Sequence, residues 1–175
     1  MSETETNGTD QTAAGQGQSQ AQDQKTGVSG IVVNAQYLRD LSFENPNAPQ
    51  SITMMQQNPP QIAIDMNVRH RQLEGRTYES VLTIKASAKA GENTIFVVEC
   101  DYAGVVTLGD EIPEEAIHPV LVVEVSRLVF PFARKVISDS VQEGGFPPLL
   151  VNPIDFRQLL QKSPDVATQE PAGNA

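Results

Sequence analysis

The sequence predicts an α+β, two-layer domain: a four-stranded antiparallel sheet with a crossing loop after strand one, then a long helix and a short C-terminal helix. Three observations predict it. Apolar and polar residues alternate over residues 62–68 and 81–88, the period of half-buried strands. Over residues 117–141 the apolar spacing changes to steps of three and four, the repeat of a helix. The strand-like segments come first and the helix-like ones last, an order that collects the helices on one side of an antiparallel sheet.

Residues 31–43 form the first strand, with Arg39, Leu41 and Phe43 on one face and Asp40, Ser42 and Glu44 on the other. Glu44-Asn45-Pro46-Asn47-Ala48-Pro49 ends it with turn-forming residues. Residues 50–60 carry Ile52, Met54 and Met55 but close on Asn58-Pro59-Pro60. They are expected to be a crossing loop rather than a hairpin, so the first two strands need not be neighbours. Strand two presents Ile62, Ile64, Met66 and Val68 on one face and ends at Leu73-Glu74-Gly75-Arg76. Strand three covers residues 77–90, with Leu82, Ile84, Ala86 and Ala88 alternating with Val81, Thr83, Lys85 and Ser87. Ala90-Gly91-Glu92-Asn93 is a hairpin turn, and strand four covers residues 94–109 with an interruption expected at Ala103-Gly104.

The long helix opens at Ile112-Pro113-Glu114-Glu115 and closes at Gly144-Gly145, with proline and acids at the start and glycine past the end. Its stripe is Leu121, Val125, Leu128, Phe132 and Val136, yet Val120, Val122, Val123, Val129 and Ile137 lie off that stripe. At roughly 1.5 Å per residue the helix is about 45 Å long, more than a small sheet covers. A helix apolar beyond one face is buried on more than one side. A second copy of the chain is the expected cover, with the stripe as the oligomer interface. Glu124, Arg127, Arg134, Lys135, Asp139 and Glu143 mark a polar sector, which argues against a membrane span. Pro119 and Pro131 are each expected to kink or break the helix, and the valine density leaves an extended reading of residues 120–125 open. A short helix follows over residues 153–162, with Asn152 as cap, Pro153 first, and Phe156, Leu159 and Leu160 as its apolar face.

Composition divides the 175 residues into a domain over residues 28–162 and two tails, residues 1–27 and 163–175, expected to be disordered. Apart from Met1, the first tail holds nothing apolar larger than alanine, too little to offset the entropy of ordering it. The net charge is −10, the wrong sign for a nucleic-acid binder. From Glu92 to Glu115 there are seven acids and no Lys or Arg, either a solvated face or a docking face for something basic. The N-terminus lacks a basic-then-apolar leader, and no stretch is expected to span a bilayer. The single cysteine, Cys100, excludes an internal disulfide framework, fits a reducing cytoplasm and reads as a half-buried strand residue.

Catalytic constellations are lacking: the sequence holds no GxSxG, P-loop, GxGxxG or HExxH. His70 and His118 lie far apart in the pattern and read as structural. Asp40 and Glu44, four apart on a strand, stand roughly 13 Å apart, beyond the separation used in glycosidic chemistry. Clustered Cys and His for zinc are absent, so no metal and no cofactor is expected. The chain reads as a binding protein rather than an enzyme. A thioesterase-like enzyme would put its long helix between strands, whereas here the helix follows all four.

One set of segments runs in order through the chain. It comprises Asp40-Leu41-Ser42-Phe43-Glu44, Pro46-Asn47-Ala48-Pro49, Tyr78-Glu79, Glu99, Leu128-Val129-Phe130-Pro131-Phe132-Ala133-Arg134, Gly145-Phe146-Pro147-Pro148-Leu149 and Pro153-Ile154-Asp155-Phe156. Together they resemble the SecB family of protein-export chaperones, over about residues 31–162. The resemblance implies an ATP-independent cytoplasmic holdase that keeps non-native precursor polypeptides unfolded and delivers them to the translocation ATPase SecA. It implies a homotetramer, a dimer of dimers with the long helices between sheets. It also implies that Asp40, Glu44, Val97 and Glu99 form a SecA-docking face on the outside of the sheet. Clients are then expected in apolar grooves bearing Met54, Met55, Phe146, Leu149, Phe156 and Leu160, methionine suiting promiscuous recognition. The chain departs from relatives that carry a tryptophan in the crossing loop, since it has none. A SecB-like chaperone dedicated to one partner, such as an antitoxin, is the alternative.

Overall fold

A computed structural model describes residues 30–152 and 154–162. Four strands, β1 (Ile31–Glu44), β2 (Gln61–Glu74), β3 (Thr77–Ala90) and β4 (Asn93–Leu108), form one sheet in the order β1-β4-β3-β2. Every neighbouring pair is antiparallel. The first strand therefore crosses over to lie beside the fourth, as the long connection after it allowed. That connection is not a plain loop, because Gln50–Gln57 form a helix, α1. A backbone hydrogen bond closes it: the Asn58 N–H donates to the Met54 carbonyl oxygen at 2.9 Å, and Pro59 and Pro60 cannot extend the helix.

The inner sheet face carries Leu82, Ile84, Ala86 and Ala88 of β3 and Phe96, Val98 and Cys100 of β4, all buried. Each Leu or Ile fully buried there contributes about 1.5–3 kcal/mol. β4 is continuous through Ala103-Gly104, where an interruption was expected. Gly104 serves packing instead: a Cβ on it would lie 3.1 Å from Val129 Cγ1 and 3.4 Å from Val125 Cγ1, so glycine lets the long helix approach the sheet.

The predicted long helix is one 30-residue stretch, Glu114–Glu143. It comprises α2 (Glu114–Pro119), a π-helical segment (Val120–Val125) and α3 (Ser126–Glu143). The extended reading of residues 120–125 is thereby excluded. Neither proline ends the helix. Pro119 and Pro131 are exposed, and so are Glu115 and Arg127, the residues whose carbonyls lose a donor, so water can satisfy them. Pro119 is followed at once by the π segment, the wider turn that accommodates a local misfit in an α-helix.

That segment also corrects the predicted stripe. A π turn holds an extra residue, so the sheet-facing row runs one position later beyond it: Leu121 and Val125 within the segment, then Val129, Ala133, Ile137 and Val141, all buried. Leu128 and Val136 are only half-buried, and Phe132 is 43% exposed. By length and composition alone the helix is apolar enough to cross a membrane. Its sheet-facing row accounts for that apolarity as core packing.

Two apolar clusters result. The larger lies beneath β2, β3 and β4 and includes Val129, Ile137, Phe146, Phe156 and Leu159. The smaller, at the far end of the sheet, joins Ile31, Tyr78, Val106, Leu108 and Ile112 to Leu121 and Val125. The final helix, α4, is Arg157–Lys162, shorter than predicted. Pro153, and the two tails, lie outside the described residues.

Candidate functional site

Register decides what shares the outer sheet face. Along β1 and β4, Asp40 stands opposite Asp101, Ser42 opposite Glu99 and Glu44 opposite Val97. Asp40, Glu44, Val97 and Glu99 thus occupy adjacent positions on one face. Arg39 does not stay with Leu41 and Phe43 as the alternation predicted. A register shift between Leu38 and Asp40 leaves it out of the pairing, and its Nη1 donates to Glu79 Oε2 at 3.0 Å on the outer side.

The face is an array of cross-strand charges rather than an acidic plate. Glu79, only 2% exposed, takes Arg71 Nε at 2.6 Å as well as Arg39, and accepts from the Tyr37 hydroxyl. Ala103, buried opposite Tyr37, is small enough for these β1 side chains to cross β4. Burial pushes the Glu79 carboxyl up, but the Tyr37 and Arg71 hydrogen bonds and the two guanidinium charges outweigh it and hold it below the usual 4.5. The bond to Glu79 raises the Tyr37 phenol, with burial adding to the effect. Asp101 behaves alike: burial works against its ionised form, yet hydrogen bonds from Arg69 and from Thr83 Oγ1 (2.6 Å), with the Arg69 and Arg39 charges, hold it below the usual 3.8. Glu99 is paired with Lys85 Nζ at 3.1 Å. Of the seven acids between Glu92 and Glu115, only Glu99 and Asp101 project from this face, because the others lie in turns or in the first turn of α2.

The inner side divides the predicted client residues. Phe146 and Phe156 are core, Phe146 against Phe96 (ring centroids 5.2 Å) and Phe156 edge-on to Phe130 (5.5 Å). Met54, Met55, Leu149 and Leu160 are partly buried against the same core. An open groove of about 590 Å³ is lined by none of the six. It lies between the end of β1 and the C-terminal half of α3, lined by Leu41, Phe43, Asn45, Val136, Asp139, Ser140, Glu143 and Gly144. Gly144 is needed there, since a Cβ would fall 2.2 Å from Phe43 Cζ. Sequence offered a partial signal, Leu41 and Phe43 on the inner face of β1, but not that α3 would end beside them. A second groove of about 380 Å³ is lined by Arg134, Lys135, Leu149, Leu150 and Asn152 among others.

Two further features concern groups that the sequence treated as inert. His70 and His118, separate in the pattern, meet at 2.8 Å between Nε2 and Nδ1, one ring donating to the other. Cys100 is fully buried rather than half-buried, and burial, with the Asp101 and Asp40 charges, pushes its thiol up to about 12. Among the described residues no group of three or more His, Cys, Asp or Glu is arranged to hold a metal ion.

Comparison with known proteins matches this architecture to one family. A family model described as preprotein translocase subunit SecB matches residues 22–166. The chain is 43% identical over 155 residues to the protein-export protein SecB of Rhodospirillum centenum, covering 88% of this chain and 91% of that one. It is 44% identical over 160 residues to the protein-export protein SecB of Beijerinckia indica, covering 91% and 97%. Among solved structures it resembles a SecB-like chaperone of Mycobacterium tuberculosis in complex with a peptide from the HigA1 antitoxin, with a TM-score of 0.61, 10% identity, and coverage of 71% of this chain and 91% of that one. That likeness bears on the fold alone. With a family model that matches residues 22–166 and relatives this similar along nearly their whole length, the chain belongs to the SecB family.

Proposed function

We propose that this chain is a molecular chaperone of protein export: an ATP-independent holdase of the cytoplasm that binds non-native precursor polypeptides and delivers them to SecA. The observation that carries this reading is the close similarity, over nearly the full length, to proteins named for protein export. The same similarity favours export over a dedicated antitoxin partner, because the antitoxin-bound neighbour is only 10% identical. The role is binding rather than catalysis, in keeping with the family.

Asp40, Glu44, Val97 and Glu99 are the proposed docking face for SecA, supported by their shared outer position. Met54, Met55, Leu149 and Leu160 remain proposed client contacts with Phe146 and Phe156 beneath them, and the groove lined by Leu41, Phe43 and Val136 is a further apolar surface of suitable kind. Assembly as a dimer of dimers is supported by apolar surface that this chain leaves open: Phe132 on α3, and Val33, Leu38 and Leu41 on β1. Leu121 and Val125 are already covered within the chain, so Leu128, Phe132 and Val136 carry the proposed helix interface.

Two measurements test the proposal. The purified chain should suppress light scattering of a chemically denatured client without nucleotide, and an absolute ATP requirement would refute the holdase. The double variant Asp40→Ala with Glu99→Lys should lose SecA binding in titration calorimetry while still holding clients. Undiminished SecA affinity there would remove the docking assignment.

A further inference from the structure

The carboxylates of the outer face differ in availability. Glu79 and Asp101 are closed, each held by cations and hydroxyls from neighbouring strands. Asp40 and Glu44 are exposed and carry no ion pair or side-chain hydrogen bond among the described residues. Glu99 stands between these classes. Its partner Lys85 lies directly opposite in register, with Asp65 on the other flank of the lysine, and the two side chains of the 3.1 Å pair are 55% and 40% exposed. A pair so exposed is worth about 0–1 kcal/mol, weak enough for an incoming cation to exchange with the lysine.

We propose that Lys85 is a specificity-determining residue of the docking face, an internal competitor for Glu99 that a basic polypeptide must displace in order to bind. This rests on the docking reading above and adds a selectivity to it. A partner bringing an isolated lysine gains little by replacing an equivalent lysine already in place. One bringing a guanidinium gains, because a planar fork makes two parallel bonds to a carboxylate where an ammonium makes one. Asp40 and Glu44 offer attraction without competition, so they draw in any basic surface, whereas Glu99 discriminates among those that arrive. The occupant is accordingly an arginine-bearing basic segment of SecA.

The test is titration calorimetry of SecA against the intact protein and its variants. Lys85→Gln should tighten binding roughly three- to fivefold, the upper part of the range expected when a competing pair worth up to about 1 kcal/mol is removed. Lys89→Gln, four residues along the same face of β3, removes an equal charge without freeing Glu99 and should change affinity less than about twofold. In a Glu99→Gln background, Lys85→Gln should have no further effect. If Lys85→Gln leaves affinity unchanged or weakens it while Asp40→Asn with Glu44→Gln weakens it, the docking face stands and the competitor is refuted. Equal tightening by Lys89→Gln would refute it too, since net charge alone would then suffice. If Asp40→Asn with Glu44→Gln leaves SecA affinity intact, the docking face fails and takes this inference with it.

Discussion

Glu79 is where a single residue carries most consequence. Its carboxylate is almost wholly buried on a nominally solvent-facing side, joined to Arg39 and Tyr37 of the edge strand and to Arg71 of β2. Glu79→Gln removes the counter-charge of two guanidinium groups that keep access to water, and should cost about 1–2 kcal/mol, seen as a lower urea midpoint with an unchanged m-value. Because folding lowers the Glu79 pKa, its contribution is complete above the unfolded value near 4.5 and is lost as pH falls through the lower folded value. Asp101 adds a second loss of the same sign, beginning from 3.8. Wild-type stability should therefore drop as pH is lowered below about 4.5, and Glu79→Gln should flatten the upper part of that drop in denaturation series at stepped pH.

At the scale of elements, the helix–sheet contact and the helix prolines make opposite predictions. Gly104 lies beneath Val125 and Val129, so Gly104→Ala forces the helix outward and should destabilise by about 1–3 kcal/mol. Adding Val129→Ala should recover part of that loss, as thermal unfolding of the single and double variants would reveal. Pro131, exposed within α3, interrupts no core contact and only withholds a donor from the Arg127 carbonyl. Pro131→Ala should raise the unfolding midpoint, by about 1–3 kcal/mol in stability. A lowered midpoint would mean that the proline shapes packing beyond its own turn.

For the whole molecule, the open apolar surface is the governing fact. Phe132 stacks on Tyr102 at 6.0 Å yet stays 43% exposed, beside an edge strand whose Leu38 and Leu41 are also uncovered. If copies of the chain cover this region, Phe132→Asp should shift the sedimentation profile from tetramer towards smaller species while far-UV circular dichroism stays unchanged. A tetramer that persists would place the interface elsewhere.

The sequence by itself determined the strands, the hairpins at Gly75 and Gly91 and the family, because each is written in local periodicity, turn chemistry or an ordered set of motifs, and it favoured a helix for the valine-rich run while leaving residues 120–125 open. It also put Asp40 with Glu44 and Val97 with Glu99 correctly on common strand faces, since a period of two survives any pairing. What it left undetermined depends on phase and register. The π segment displaced the sheet-facing row by one residue, and the shift beside Leu38 turned Arg39 to the other side of β1. Only the tertiary structure decided which carboxylates are neutralised, that His70 meets His118, and that the open groove falls between β1 and the end of α3. Those outcomes join residues dozens of positions apart, and the geometry that joins them is fixed by strand order and close packing, neither of which any local run of residues encodes.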